Sequence, residues 1–183
     1  IKVEHPKGGD PFRAYRGDLY SPHFSAYNRN KESIQLDLQS ESGQDKLHRL
    51  LSRADVLLDN YRPGVLSRLR LDDETLERLN PRLVRCSITG FGDSGPYRDR
   101  PAYDSVGIAM SGLASLLLDP DEPDAAGPTI ADNVTGMYAC YGVLGALVSR
   151  AKTGKGARVS TNMLESTIAF IPDAFATFTR LGI

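Results

Sequence analysis

Apolar positions fall along the chain in short runs of two kinds, and the kinds alternate. Residues 33–38 put Ile34, Leu36 and Leu38 at every second position, the period of a half-buried strand. Ser40 follows as a helix N-cap, Glu41 stands in the first turn, and Leu47, Leu50, Leu51 and Ala54 recur at helical spacing. Residues 54–58 form a short apolar run stopped by Asp59-Asn60, which reads as a buried parallel strand. Asp72-Asp73-Glu74 opens a short helix carrying Leu76 and Leu79, and 83–88 is the next buried strand. Strand, helix and strand with short connections predict βαβ units and a parallel sheet, so the expected class is α/β.

The flanks are less regular. Residues 1–4 alternate like a short strand and run into the polar turn His5-Pro6-Lys7-Gly8-Gly9-Asp10-Pro11. Residues 12–31 are polar and aromatic without a period, which predicts a long surface loop. After Gly90 the texture becomes a Gly/Pro-rich loop through Gly92, Gly95, Pro96 and Pro101. Two helical patterns follow, near 103–117 and 133–151, then a strand at 158–162 and a helix from Leu164. The chain opens on a strand pattern without an initiator methionine and stops just after a helical one, at Arg180-Leu181-Gly182-Ile183. A piece of a longer protein is expected.

Composition narrows the function classes. The 183 residues suffice for a core, with 40% hydrophobic and 25% charged residues, as in ordinary globular proteins. Lys and Arg number 22 against 23 Asp and Glu, a net charge of -1, so neither nucleic acid nor an anionic membrane is an expected partner. Cys86 and Cys140 lie in apolar runs without metal-type spacing and are expected as buried free thiols in a reducing, cytoplasmic compartment. No apolar stretch approaches the roughly 20 residues that span a bilayer.

Several segments carry candidate chemistry. Asp132 heads an apolar helical pattern behind the small residues Ala125, Ala126, Gly127 and Pro128. A carboxylate there suits a helix N-cap, which the pattern alone favours, and it also suits a nucleophile kept ionised near a helix start. Asn60-Tyr61-Arg62-Pro63-Gly64 ends a predicted strand, where parallel sheets bind ligands; a plain strand-to-helix turn with Pro63 opening the helix also explains it. The loop 91–96 lacks dinucleotide glycine spacing and a P-loop Lys-Ser/Thr pair, so it is a lid, a substrate-facing turn or a plain loop. Tyr103 would donate a hydrogen bond to a reacting oxygen or simply be half-buried. Arg29, Lys31 and Arg68 would meet phosphates or be solvated. His5, His23 and His48 are scattered, and none has a metal-type partner nearby in sequence. Gly154 fits a helix C-cap, with Lys152 complementing the helix dipole.

Read in order, these pieces resemble the class III CoA-transferases, the family of formyl-CoA transferase and the carnitine and bile-acid CoA-transferases. The resemblance rests on Ile1-Lys2-Val3-Glu4 with Gly9-Asp10, Asn28-Arg29-Asn30-Lys31 with Ser33-Ile34, and Leu36-Asp37-Leu38. It continues through Ala54-Asp55-Val56, Asn60-Tyr61-Arg62-Pro63-Gly64, Leu79-Asn80-Pro81-Arg82-Leu83 and Gly90-Phe91-Gly92 with Gly95-Pro96-Tyr97. Tyr103-Asp104, Ser111-Gly112, Asp132 with Gly136, and Arg150 with Thr153-Gly154-Lys155-Gly156 complete it. It implies a Rossmann-like parallel sheet with flanking helices. Residues 1–183 would be part of the large domain of an interlocked homodimer, without the family's opening strand and helix and without its small domain.

The resemblance further implies that Asp132 is the catalytic nucleophile, which takes the acyl group from an acyl-CoA as a mixed anhydride and then carries CoA as an aspartyl thioester. CoA contacts are implied for Asn60, Tyr61, Arg62, Arg68, the segment from Leu36 to Gln39, and the segment from Arg100 to Tyr103. His5 and Gln39 stand where formyl-CoA transferase has Arg and Lys, and Lys7, Arg29 or Lys31 would have to compensate. No permanently bound cofactor and no metal are implied; CoA, acyl-CoA and a carboxylic acid are the substrates. Two other readings stay open. An α-methylacyl-CoA racemase of the same superfamily has His where this chain has Tyr103, and neutral Tyr is a poor base at pH 7. An inactive CoA-binding fragment is the other. The loop 92–96 does not match the glycine-run lid of formyl-CoA transferase, so its substrates are not carried over. Residues 113–118 would line an acyl pocket or pack a core.

Overall fold

A computed structural model describes residues 1–15, 21–119, 121–122 and 127–182. Ala125 and Ala126, part of the approach to Asp132, lie outside the described residues. The chain divides into two compact units, Ile1–Arg53 and Ala54–Ile183.

In the first unit β1 (Lys2–Glu4) pairs in parallel with β2 (Ser33–Gln35), Val3 opposite Ile34. The segment expected as loop is partly helical: a 3-10 turn spans Pro11–Ala14 and α1 spans Pro22–Asn28. Both begin with a side-chain cap followed by Pro, Asp10 accepting from the Phe12 N–H and Ser21 from the Phe24 N–H. Proline at a first helical position costs no hydrogen bond, so two local caps set these starts where no apolar period announces them. Buried Glu4 ties the unit together, accepting from the Arg13 guanidinium at 2.8 and 2.7 Å, from the Asp10 N–H at 2.9 Å, and from Ser33. Arg13 above all holds the Glu4 carboxyl down at about 2, helped by Ser33 and Asp10 against the cost of burial. Ser40 caps α2 (Glu41–Leu51) through the Gly43 N–H at 3.0 Å, and Leu47 and Leu51 are buried.

In the second unit β3 (Val56–Asp59), β4 (Val84–Thr89) and β5 (Arg158–Asn162) form a parallel sheet with β4 central. Val84 and Cys86 on β4 are almost fully buried, as expected of the middle strand. β3 is less buried than its apolar run predicts, with Leu58 56% exposed. Between β3 and β4 lie α3 (Val65–Arg68) and α4 (Asp73–Leu79). Pro63 does not open α3; Gly64, at φ 82°, precedes it in the left-handed region that glycine tolerates. The helical pattern at 103–117 is two helices, α5 (Asp104–Met110) and α6 (Leu113–Leu117), broken at Gly112 with φ 84°. The 24-residue α7 (Ile130–Thr153) ends at Gly154, whose N–H donates to the Arg150 carbonyl at 2.8 Å. After β5, Asn162 caps α8 (Met163–Phe170) by exchanging hydrogen bonds with Glu165 at 2.8 and 2.7 Å, and α9 (Pro172–Leu181) follows.

Cys86 is buried as expected, but Cys140, on α7, is exposed. No helix among the described residues is long and apolar enough to cross a membrane.

Candidate active site

Asp132 is not the cap of α7. The helix begins at Ile130, earlier than the apolar pattern suggests, with Thr129 preceding it and making no side-chain cap. Asp132 is therefore the third helical residue, and its own N–H is one of the unpaired donors of the first turn. That N–H donates to Asp104 Oδ1 at 3.0 Å, a carboxylate in the first turn of α5, 28 residues earlier. The capping is thus supplied from a neighbouring helix. Among the described residues nothing hydrogen-bonds or ion-pairs with the Asp132 carboxylate, and the residue is exposed.

Packing fixes this pairing. Gly107 lies buried on α5, and a Cβ there would stand 2.8 Å from the Ala131 Cβ and 3.3 Å from Met163 Cε. The missing side chain lets α5 approach the first turn of α7. Ala131 is fully buried at that contact, and Thr135 Oγ1 donates back to its carbonyl at 2.6 Å. The Asp132 carboxyl is raised above the ordinary carboxylate range, first by desolvation and second by the Asp104 charge. The helix start alone was expected to favour ionisation; the neighbouring carboxylate works against it.

The other candidates are distributed. Tyr103 immediately precedes α5 and is 75% exposed, so it is not the half-buried tyrosine of the plainer reading. Arg100 is exposed, with its guanidinium 4.4 Å from the centre of the Tyr97 ring; Tyr97 in turn leans on Phe91 at 5.5 Å. Asn60, Tyr61 and Arg62 follow the carboxyl end of β3, all exposed, the Tyr61 N–H held by Asp59 Oδ1 at 3.1 Å. Burial raises the Asp59 carboxyl, opposed by a 2.8 Å hydrogen bond from Ser87. Arg68 is exposed at the end of α3.

In the first unit His5 and Leu36 follow the paired carboxyl ends of β1 and β2, joined by the Leu36 N–H to Glu4 carbonyl bond at 3.0 Å. Leu36 is buried, while His5 and Gln39 are exposed. Arg29 and Lys31 lie at the opposite, amino ends of these strands, in a recess with Lys2. They therefore do not stand beside His5 as compensating cations.

Asp104 and Gly107 are the contributors that sequence reading missed. A carboxylate opening a helix with glycine three residues on was visible, but its partner 28 positions away was not. The loop 91–96 is likewise tied down rather than free, with Asp93 paired to Arg158 on β5 and the Gly92 N–H donating to Thr89 at 2.9 Å. Among the described residues no group of three or more His, Cys, Asp or Glu is placed to hold a metal ion.

The parallel α/β frame agrees with comparisons to known proteins. The model of CoA-transferase family III matches residues 1–182, and the chain belongs to that family. It is 40% identical to the acetyl-CoA:oxalate CoA-transferase of Acetobacter aceti, over 100% of this chain and 48% of that one. It is 38% identical to the succinate–glutarate CoA-transferase of Agrobacterium fabrum, over 90% of this chain and 44% of that one. A CAIB/BAIF family protein from Brucella suis superposes with a TM-score of 0.93 at 36% identity, covering 100% of this chain and 50% of its own. The chain spans about half the length of the curated relatives it matches.

Proposed function

We propose that the whole protein moves coenzyme A from an acyl-CoA donor to a carboxylic acid acceptor, with Asp132 as the covalent nucleophile. The observation that carries this reading is the division of labour at the start of α7. Asp104 satisfies the backbone donor, which leaves the Asp132 carboxylate exposed and unpaired among the described residues.

An Asp132 oxygen attacks the thioester carbonyl, the C–S bond breaks, and CoA leaves as thiolate, giving an aspartyl-acyl anhydride. The thiolate then attacks the aspartyl carbonyl and expels the acyl group as its carboxylate, leaving aspartyl-CoA. The acceptor carboxylate repeats the first step on that thioester, and the thiolate takes the acceptor's acyl group, restoring Asp132. Each step exchanges a carboxylate and a thiolate at one carbonyl, so no proton or oxidant is needed. A raised carboxyl pKa makes the nucleophile more basic, and the Asp104 charge favours the uncharged acyl state of Asp132 over the free carboxylate. His5, Leu36, Gln39, Asn60, Tyr61, Arg62, Arg68, Arg100 and Tyr103 would contact CoA. The relatives named above as CoA-transferases support the reaction class. An interlocked homodimer is the proposed assembly, and the cytoplasm its proposed place.

The test is peptide mass spectrometry of the full-length protein incubated with a panel of acyl-CoA donors and quenched with hydroxylamine. A hydroxamate on the Asp132 peptide is expected, and the donors that label define the substrate class. No adduct, together with α-proton exchange into deuterated water, would replace the transfer by racemisation.

A further inference from the structure

The first unit carries a cavity that shares Leu36, and no other lining residue, with the proposed CoA contacts. Alongside β2 the flank of α2 overhangs a pocket of about 610 Å³, within the range of small-molecule sites. Its floor is aliphatic, made by Ile34, Leu36 and Leu50, and its rim is Lys46, Arg49 and Arg53. Lys46, Arg49 and Leu50 stand at i, i+3 and i+4 on one face of the helix, and Arg53 follows just beyond its C-cap Ser52.

The charges on this rim have no answer within the described residues. Elsewhere in the unit Lys2 pairs with Asp10 at 2.6 Å and Arg13 with Glu4 at 2.7 Å. Lys46, Arg49 and Arg53 make no side-chain hydrogen bond or ion pair with any described residue. The dipole at a helix C-terminus favours nearby cations, which accounts for basic residues here. It does not account for an aliphatic floor left open between them. Three cations around an apolar surface are complementary to an anionic head on an apolar body: the head meets guanidinium groups in charge-assisted hydrogen bonds, and the body covers Ile34 and Leu50.

The geometry points to a second small-molecule site in this pocket, one that takes an amphipathic anion with a carboxylate or phosphate head on an apolar body. It is independent of the role of Asp132. Calorimetric titration of the full-length protein with decanoate tests it. Decyltrimethylammonium serves as the control for the body alone and inorganic phosphate for the head alone. Saturable 1:1 binding of decanoate, at least tenfold tighter than either control, is expected. The double variant Arg49→Ser/Arg53→Ser, both changes at exposed positions, is expected to weaken binding about tenfold with an unchanged circular dichroism spectrum. Leu50→Gln is expected to weaken it separately. Equal binding of decanoate and its cationic analogue, or no effect of the substitutions, overturns the proposal. Competition by CoA also overturns it, since the pocket would then belong to the nucleotide site. Binding to phosphatidylglycerol vesicles without binding to free decanoate would mark a membrane-facing patch and overturn it as well.

Discussion

Asp132 had two alternative readings, helix cap or nucleophile, and the bond from its own N–H to Asp104 bears on the first. If Asp132 capped its own helix, Asp132→Asn would leave the protein about as stable, and Asp132→Ala would cost about 1 kcal/mol. With the cap supplied by Asp104, both changes are expected to abolish CoA transfer without lowering the melting temperature. The sign follows from linkage: the folded carboxyl is raised above its unfolded value, so any stability it contributes is present at low pH and lost as pH rises through the folded pKa. Asp104→Asn retains an oxygen for the Asp132 N–H and removes a neighbouring charge. It is expected to move the acid limb of the kcat–pH profile to lower pH, and an unmoved limb would remove Asp104 from the electrostatics of the site. Glu4 gives the opposite sign. Its carboxyl is held at about 2, below the ordinary 4.5, so its contribution is complete above about 4.5 and fades as pH falls toward 2. Glu4→Gln is expected to flatten that part of the stability–pH curve in urea titrations.

Two helices set the site, and their approach depends on one glycine. At Gly107 a valine would push into Ala131 and Met163, and overpacking of this kind costs about 1–3 kcal/mol. Gly107→Val is expected to lose stability in that range and to lose transfer activity, because α5 carries Asp104 to the first turn of α7. Gly136, also on α7, has open space where a Cβ would go, so Gly136→Ala is not expected to destabilise the chain. The helices themselves were readable where a cap and an apolar period coincide, as at Ser40 with Leu47 and Leu51, or at Asp72 with Leu76. The start of α7 was misplaced because its first turn carries no side-chain cap of its own. α1 was missed because its seven residues bury only Phe24 and leave no period to see.

At the scale of the molecule, α7 leaves Met137, Tyr141, Leu144 and Val148 exposed at i, i+4, i+7 and i+11, a stripe wide enough to seat another helix. In the proposed homodimer a second copy covers it. Leu144→Lys with Val148→Lys is expected to shift the full-length protein toward monomer in sedimentation velocity; an unchanged dimer would place the interface elsewhere. The sequence by itself determined the parallel α/β class and the order of its strands along the chain, because periodicity, caps and motif order are local properties. Burial was harder to read: β3 and Cys140 are more exposed than their apolar runs predict, because exposure depends on what packs against a run. Tertiary structure alone decided that Asp104 caps the helix of Asp132, that Arg29 and Lys31 lie away from His5, and that Lys46 and Arg49 of α2, with Arg53 just beyond it, surround an aliphatic floor. Each of these depends on two segments distant in sequence meeting, or on which face of an element is left uncovered, and no local pattern encodes either.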